Sequence, residues 1–170
     1  RKLCARSDID AVVIATPNHW HALNAVEALR QGKDVYLEKP LARTIGEGQA
    51  IVRAARRYGR ILQTGSQQRS DSAFRFACEL VRNGRIGKVH TVHVNVGGPP
   101  NAFYGGEQPV PEGLDWDMWL GPAPWRPYHE EVCPPDSFNG WPRWRYYRDY
   151  AGGYMTDFGA HHFDIAQWGL

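Results

Sequence analysis

The sequence lacks several features that define whole classes of protein. None of its apolar runs approaches the roughly 18 to 20 residues that a transmembrane helix needs. The three cysteines, Cys4, Cys78 and Cys133, are odd in number and widely spaced, which favours neither a disulfide framework nor a Cys-based zinc site. The 20 basic and 18 acidic residues are mixed along the chain, with a formal net charge of +2. The composition therefore indicates neither a membrane nor a nucleic acid as a partner.

What the sequence does contain is typical of a globular protein. Of its 170 residues, 42% are hydrophobic and 22% are charged, enough for one domain with a core and part of another. The chain opens without Met or a signal pattern, enters a buried-strand pattern almost at once, and ends with "DIAQWGL" inside a predicted helix. We therefore expect a fragment of a longer protein, inactive and poorly stable alone, whose cellular location the sequence does not indicate.

Strand and helix patterns alternate along the first half of the chain. The apolar run "IDAVVIATP" predicts a parallel strand covered on both faces. After it come a helix, a strand, a helix, a strand, a helix and an alternating strand, in the segments "HWHALNAVEALRQGKD", "DVYLEKP", "TIGEGQAIVRAARRYG", "RILQTGSQQR", "SAFRFACELVRNG" and "GKVHTVHVNVG". Thr44 and Glu47 have the spacing of a capping box, and Gly32 and Gly59 fit helix ends. This order predicts an α/β fold with a doubly wound parallel sheet.

Composition changes sharply after Gly97. Ten of the 12 prolines lie between residues 99 and 142, and 12 of the 21 aromatic residues lie between 101 and 150. Such a segment without periodicity is uncommon in a domain unless it is a functional loop or disordered, and its aromatic content opposes disorder. Two compatible interpretations remain: a loop fixed by aromatic packing, or a wall for a carbohydrate built from rings such as Trp119, Trp141 and Trp144.

The second predicted strand ends in an unusual way. In "DVYLEKPLA" the apolar run is followed by Glu38, Lys39 and Pro40, residues that a buried strand avoids. A solvated turn would explain them. A site that requires charge at the strand end would explain them too, and a cis peptide before Pro40 is compatible with the sequence.

The segment "AGGYMTDFGAHHFDIAQWGL" contains a second group of chemical interest. On a helix, Asp157 and His161 share one face, and Asp164 lies on a neighbouring line. Three interpretations are open: a metal site that includes His162, a His held structurally by an Asp, or acid-base chemistry at His161. Metal binding is disfavoured because adjacent histidines point about 100° apart on a helix.

Three motifs together resemble the Gfo/Idh/MocA family of NAD(P)-dependent oxidoreductases. They are "ATPNHWH", "YLEKPLA" and "GGYMTDFGAHHFD", each in the family's order and spacing along essentially the whole chain. The resemblance implies the C-terminal part of an NAD(P)-binding Rossmann domain over residues 1–84. It also implies the beginning of a substrate and oligomerisation domain of α+β type over 85–170, with a mostly antiparallel open sheet that "GKVHTVHVNVG" would open.

The resemblance also assigns roles. Lys39, Asp157 and His161 are the implied catalytic residues: Lys39 would stabilise charge on the substrate oxygen, His161 would act as general base, and Asp157 would hold a sugar hydroxyl or Lys39. The implied cofactor, NAD or NADP, would contact Thr16, Pro17, Asn18, His21, Glu38, Lys39 and Gln67. The implied substrate residues are Gln68, Arg69, Arg145, Asp157 and His161. His21 alone would equally be a capping residue.

The implied function is hydride transfer between a secondary hydroxyl of a sugar or polyol and the nicotinamide, in a homo-oligomer formed through the second-domain sheet. A redox-neutral sugar transformation with tightly bound NAD and a non-catalytic sugar-binding role stay open. The sequence has no G-x-G-x-x-G turn with an acid some 20 residues beyond it. We therefore expect the first Rossmann strands to precede Arg1, and the choice between NAD and NADP is not readable.

Overall fold

The computed structural model describes residues 2–170. Its strands are β1 (Ala11–Ile14), β2 (Asp34–Glu38) and β3 (Leu62–Gly65). Its helices are α1 (Asn18–Arg30), α2 (Ile45–Tyr58), α3 (Ser72–Arg82), α4 (Trp116–Leu120) and α5 (Gly153–Gly169), with short 3₁₀ helices at Gln67–Ser70 and Arg143–Tyr146. No helix among these residues is both long and apolar enough to cross a membrane.

The three strands form one parallel sheet in the order β1-β2-β3, with Val12 opposite Val35 and Leu37 opposite Thr64. Parallel strands need a crossover, and α1 and α2 supply the two crossovers. The α/β order predicted from the sequence is therefore confirmed for this half of the chain. All three strands end at the same edge of the sheet, which is where an α/β fold binds ligands.

The first hydrophobic core lies between the sheet and helices α1 and α2. β2 alternates, with Val35 and Leu37 buried and their neighbours half-buried. The core residues are Ile14, Ala22, Ala25, Ala28, Leu29, Val35, Leu37, Ile51 and Ala54. The expectation that β1 is covered on both faces is wrong for the described residues, because Val13 is 74% exposed on the face opposite these helices.

Local capping rules fix the ends of α2. The Thr44 hydroxyl accepts from the Glu47 backbone N–H at 3.2 Å, and the Glu47 carboxylate accepts from the Thr44 N–H at 2.9 Å. Gly59 ends the helix in the left-handed conformation, with φ of 60°. The predicted capping box and C-terminal glycine are both confirmed, so this helix is specified by its own sequence.

The segment "GKVHTVHVNVG" does not form the predicted strand. No strand occurs after Gly65 in residues 2–170, and only an isolated bridge joins Asn101 to Tyr147. Alternation of apolar and polar side chains indicates a two-sided environment, whereas a strand also needs a neighbour for its backbone hydrogen bonds. None of the described residues supplies that neighbour, so oligomerisation through a sheet at this place stays a prediction.

A second core of aromatic residues organises the proline-rich segment. Trp119 stacks on Trp116 with ring centroids 5.1 Å apart, and the Trp116 indole donates to the Arg126 carbonyl at 2.9 Å. The buried members of this core are Trp116, Leu120, Tyr128, Val132, Cys133, Trp144, Tyr150 and Ala151. Packing therefore explains the order of a segment that has little regular secondary structure.

Truncation of Leu37 should measure how much the first hydrophobic core contributes to stability. Leu37→Ala removes a side chain that is 0% exposed, and we expect the free energy of unfolding to fall by about 2 to 5 kcal/mol in urea denaturation. Leu23→Ala is the matched control, since Leu23 is 52% exposed and its truncation should change stability by about 0.5 kcal/mol or less. Equal losses in the two variants would contradict this description of the core.

Candidate active site

The candidate site begins at the shared edge of the three strands. The loop after β2 carries Lys39 and Pro40, joined by a cis peptide bond. His21 in α1 is 1% exposed, and its two ring nitrogens lie 2.8 Å from the Pro40 and Thr16 carbonyl oxygens. Burial lowers the His21 pKa, although the two backbone carbonyls oppose the shift. A neutral imidazole has one N–H, so His21 donates to one of these two carbonyls, and its ring lies between the loops after β1 and β2.

Glu38 and Gln67 bring β2 and β3 together at the same edge. The Gln67 side-chain amide donates to the Glu38 carboxylate, which also accepts from the Lys39 backbone N–H at 3.2 Å. Gly65 lies directly beside them, and a Cβ there would stand 3.1 Å from both side chains. The bare glycine thus permits the close approach of an acid and an amide at the strand ends.

Lys39 connects this edge to α5. Its ammonium donates to the Asp157 Oδ1 at 2.5 Å and to the Asp157 backbone carbonyl at 3.2 Å. The side chains are only 17% and 5% exposed, respectively. Gly153 lets α5 begin here: its φ is 66°, and a Cβ would stand 2.7 Å from the backbone nitrogen of Pro100. Two motifs that are 118 residues apart therefore meet in one ion pair.

His161 lies one turn beyond Asp157 on α5. Burial is the main cause that lowers the pKa of His161, and the positive charge of Lys39 lowers it further. The negative charges of Asp157 and Glu38 act in the opposite direction. The imidazole is therefore neutral at pH 7. A neutral imidazole can accept a proton, which is what a general base must do.

The remaining acid and histidine of the α5 motif point to other partners. Asp164 accepts from Arg69 through both oxygens, at 2.6 and 2.8 Å, and the His162 Nδ1 lies 3.2 Å from the Asn95 carbonyl oxygen. Among residues 2–170, no group of three or more His, Cys, Asp or Glu side chains is arranged to hold a metal. The candidate metal ligands of the motif are thus divided among separate contacts.

The other predicted site residues differ in burial and in their hydrogen-bond partners. Asn18 is 4% exposed at the start of α1, after Pro17. Thr16 accepts from Asn24 through its hydroxyl at 3.2 Å. Gln68 has a buried side-chain oxygen without a partner in residues 2–170, whereas Arg69 is held by Asp164. Their contacts with cofactor or substrate stay predictions.

Arg145 reaches the site from the second 3₁₀ helix. Its Nε lies 3.9 Å from the Asp157 Oδ2, and its guanidinium contacts the rings of both Trp141 and Trp144. Trp144 is 8% exposed and Trp119 belongs to the aromatic packing, whereas Trp141 is 50% exposed. Of the three rings considered as a carbohydrate wall, Trp141 presents the most open surface.

Sequence reasoning missed the contacts that connect α1 to the aromatic segment. The rings of His19 and Trp20 both donate to the Trp119 carbonyl, at 2.9 and 3.0 Å. Arg43 donates to the Arg148 and Asp149 carbonyls, each at 3.2 Å. The dipeptide His-Trp at a helix start was the available signal, since such rings need hydrogen-bond acceptors when buried.

These features define an α/β protein with a charged centre at the edge where its parallel strands end. The family model described as the NAD-binding Rossmann fold of the oxidoreductase family matches residues 1–66. A second model, the C-terminal alpha/beta domain of the same family, matches residues 101–170. The chain therefore belongs to the Gfo/Idh/MocA oxidoreductase family.

Individual relatives agree with this assignment. An inositol 2-dehydrogenase of Gluconacetobacter diazotrophicus is 34% identical over 128 residues, 71% of this chain and 37% of the relative. A 1,5-anhydro-D-fructose reductase of Ensifer adhaerens is 38% identical over 87 residues, 51% of this chain and 26% of the relative. The solved NAD-binding protein of Listeria innocua superposes with a TM-score of 0.63 at 22% identity, over 99% of this chain and 38% of that chain, and shows the fold alone. The chain thus spans 26% to 38% of the length of these proteins.

The nicotinamide cofactor of this family fits the strand edge. Lys39 supplies a cation, and the hydrogen-bonded pair of Glu38 and Gln67, packed against Gly65, supplies further polar groups at the ends of the parallel strands. Asp157 Oδ2 is buried without a hydrogen-bond partner in residues 2–170, so a polar acceptor remains open at this centre. These residues would hold the nicotinamide half of the dinucleotide.

The electrostatic coupling of Lys39 to His161 can be measured directly. We expect the His161 pKa, followed by NMR titration, to lie below the ordinary value of about 6.5. Lys39→Met removes a charge that lowers this pKa and frees Asp157, which raises it, so both effects move it upward. Lys88→Met, at an exposed lysine, is the control and should leave it unchanged. A His161 pKa that does not rise in Lys39→Met would contradict the coupling.

Proposed function

We propose that the protein is an NAD(P)-dependent oxidoreductase that moves hydride between a secondary hydroxyl of a sugar or polyol and the nicotinamide. The observation that carries this proposal is the buried contact of Lys39 with Asp157, with His161 one turn away. It places a cation, a carboxylate and a neutral imidazole together beyond the strand ends of an NAD-binding fold. The names of the inositol and anhydrofructose relatives support the choice of a polyol or sugar.

Lys39 is the proposed stabiliser of the substrate oxygen. An ammonium has three N–H donors, and among the described residues two hydrogen bonds of Lys39 go to Asp157. The third donor is then available to a substrate hydroxyl. A cation held in place before the reaction stabilises negative charge that develops on that oxygen. Asp157 contributes by holding the ammonium in position.

His161 is the proposed general base. The bound nicotinamide supplies the hydride acceptor. His161 accepts the proton that leaves the hydroxyl, and it can do so because burial and Lys39 keep the imidazole neutral. In the reverse direction the imidazolium returns the proton to the oxygen.

The domain assignment follows from the same centre. We propose that residues 1–84 serve the cofactor and 85–170 the substrate, so that Lys39 and Asp157 meet at their junction. Gln68 and Arg69, near the end of the cofactor part, are the proposed outer residues that face the substrate. The ion pair of Arg69 with Asp164 gives Arg69 a role in holding α5 as well.

Nicotinamide reduction by the full-length protein tests the proposal. NAD and NADP are offered with a panel of inositols, hexoses and anhydro sugars, and absorbance at 340 nm is followed. Lys39→Met should lower kcat/KM by about 10²- to 10⁴-fold, because the developing charge loses its cation. Lys88→Met, which removes an exposed lysine, should retain the wild-type rate.

Two other outcomes would replace this function. Product formed from a sugar with tightly retained nicotinamide and no net change at 340 nm would indicate a redox-neutral sugar transformation. Saturable sugar binding without any product would indicate a binding protein. Equal rates in Lys39→Met and the wild type would contradict the role of Lys39 in either reaction.

A further inference from the structure

Asp157 is a buried carboxylate whose two oxygens have unequal surroundings. Oδ1 accepts from the Lys39 ammonium at 2.5 Å. Oδ2 is also buried, and no donor among residues 2–170 makes a hydrogen bond with it. Burial of a charged oxygen without compensation is costly, so a second source of positive charge is expected beside Oδ2.

Arg145 supplies that second charge. Its Nε lies 3.9 Å from the Asp157 Oδ2, which is too long for a hydrogen bond but within the range of an ion pair. The Arg145 side chain is 21% exposed. Burial lowers the Arg145 pKa, yet a guanidinium keeps its charge at neutral pH. Arg145 therefore acts on Asp157 through its charge and without a hydrogen bond. Because no hydrogen bond fixes their separation, the strength of this effect depends on what holds the guanidinium in place.

Two tryptophans hold the guanidinium in place. The Arg145 Cζ lies 4.1 Å from the Trp141 ring centroid and 4.2 Å from that of Trp144. One hydrogen bond, from Nη1 to the Pro142 carbonyl, has a length of 3.4 Å. Both distances are within the range of cation–π contacts, which hold a guanidinium against an aromatic ring through its charge. These two contacts, here called the tryptophan clamp, keep Arg145 in place.

We propose that Arg145 is a positioning residue: its clamped guanidinium keeps Asp157 turned towards Lys39, and so fixes the ammonium at the reacting edge. This inference rests on the proposed function and changes the role that the sequence predicts for Arg145, which was direct contact with substrate. Stabilisation of developing charge requires a cation that is already in place. Loss of Arg145 should therefore act on kcat more than on KM.

Two substitutions separate charge from packing in the full-length protein. Arg145→Met keeps an apolar chain against the two indoles and removes the charge, whereas Arg145→Lys keeps the charge and loses the planar fork. We expect Arg145→Met to lower kcat about 10- to 100-fold, as loss of a supporting residue commonly does, with KM changed less than about threefold. Arg145→Lys should recover most of kcat. Arg143→Met is the control, since the Arg143 side chain is 64% exposed and contacts Glu131.

Crystal structures of the two variants give a second measurement that needs no substrate. In Arg145→Met the Asp157 carboxylate should turn, so that the 2.5 Å contact of its Oδ1 with the Lys39 ammonium is not kept in its wild-type form, whereas Arg145→Lys should keep that contact. Wild-type kcat in Arg145→Met, equal losses of kcat in both variants, or a change confined to KM would overturn the proposal. An Arg145→Lys variant that folds but has lost the contact would overturn it too, even if Arg145→Met does not fold.

The same experiments distinguish this proposal from the proposed function. Absence of turnover by the wild type on every sugar and polyol would overturn the oxidoreductase function. The positioning role would then be decided by the variant structures alone, where an unchanged contact in Arg145→Met would reject it. Turnover by the wild type with wild-type rates in Arg145→Met would reject positioning and leave the oxidoreductase function standing.

Discussion

The ion pair of Lys39 and Asp157 is the contact on which the rest of the structure depends. It joins the end of β2 to the first turns of α5, and both side chains are largely buried. Breaking a buried pair by removing one partner typically costs about 3 to 5 kcal/mol, because the remaining charge is left uncompensated. The two halves of the chain therefore cannot separate without exposing or stranding a charge at the centre of the site.

The neighbouring contacts share a property that suits this constraint. His21, His19, Trp20 and Arg43 all bond to backbone carbonyls of distant loops. A carbonyl acceptor fixes the path of a loop without depending on the side chains that the loop carries. The loops around the ion pair can therefore keep their course while the side chains that they carry differ. Loops that carry functional side chains are commonly positioned by a rigid scaffold in this way.

The sequence predicts those parts of the fold that follow local rules. Thr44, Glu47 and Gly59 specify α2 by capping, and the apolar runs specify the parallel strands. The sequence does not predict those parts of the fold that depend on a contact with a distant segment of the chain. The alternation of residues 88–96 indicates a strand, yet a strand requires a neighbour that the alternation does not encode. The exposure of Val13 and the clustering of Trp116, Trp119 and Tyr150 depend likewise on long-range packing.

The same distinction holds in the candidate site, where local spacing is predictable from the sequence and contacts between distant residues are not. Spacing alone predicts that Asp157 and His161 share a helix face, but not that Lys39 contacts Asp157 from 118 residues away. That expectation comes from the resemblance to a family. The contact also explains why the acids and histidines of α5 do not converge. Asp157 is committed to Lys39 and Asp164 to Arg69. Lys39, the cation beside Asp157, lowers the pKa of His161. The arrangement thus leaves a neutral imidazole on the same helix as the carboxylate that holds the ammonium, and this is the combination that the proposed removal of a proton from an alcohol would use.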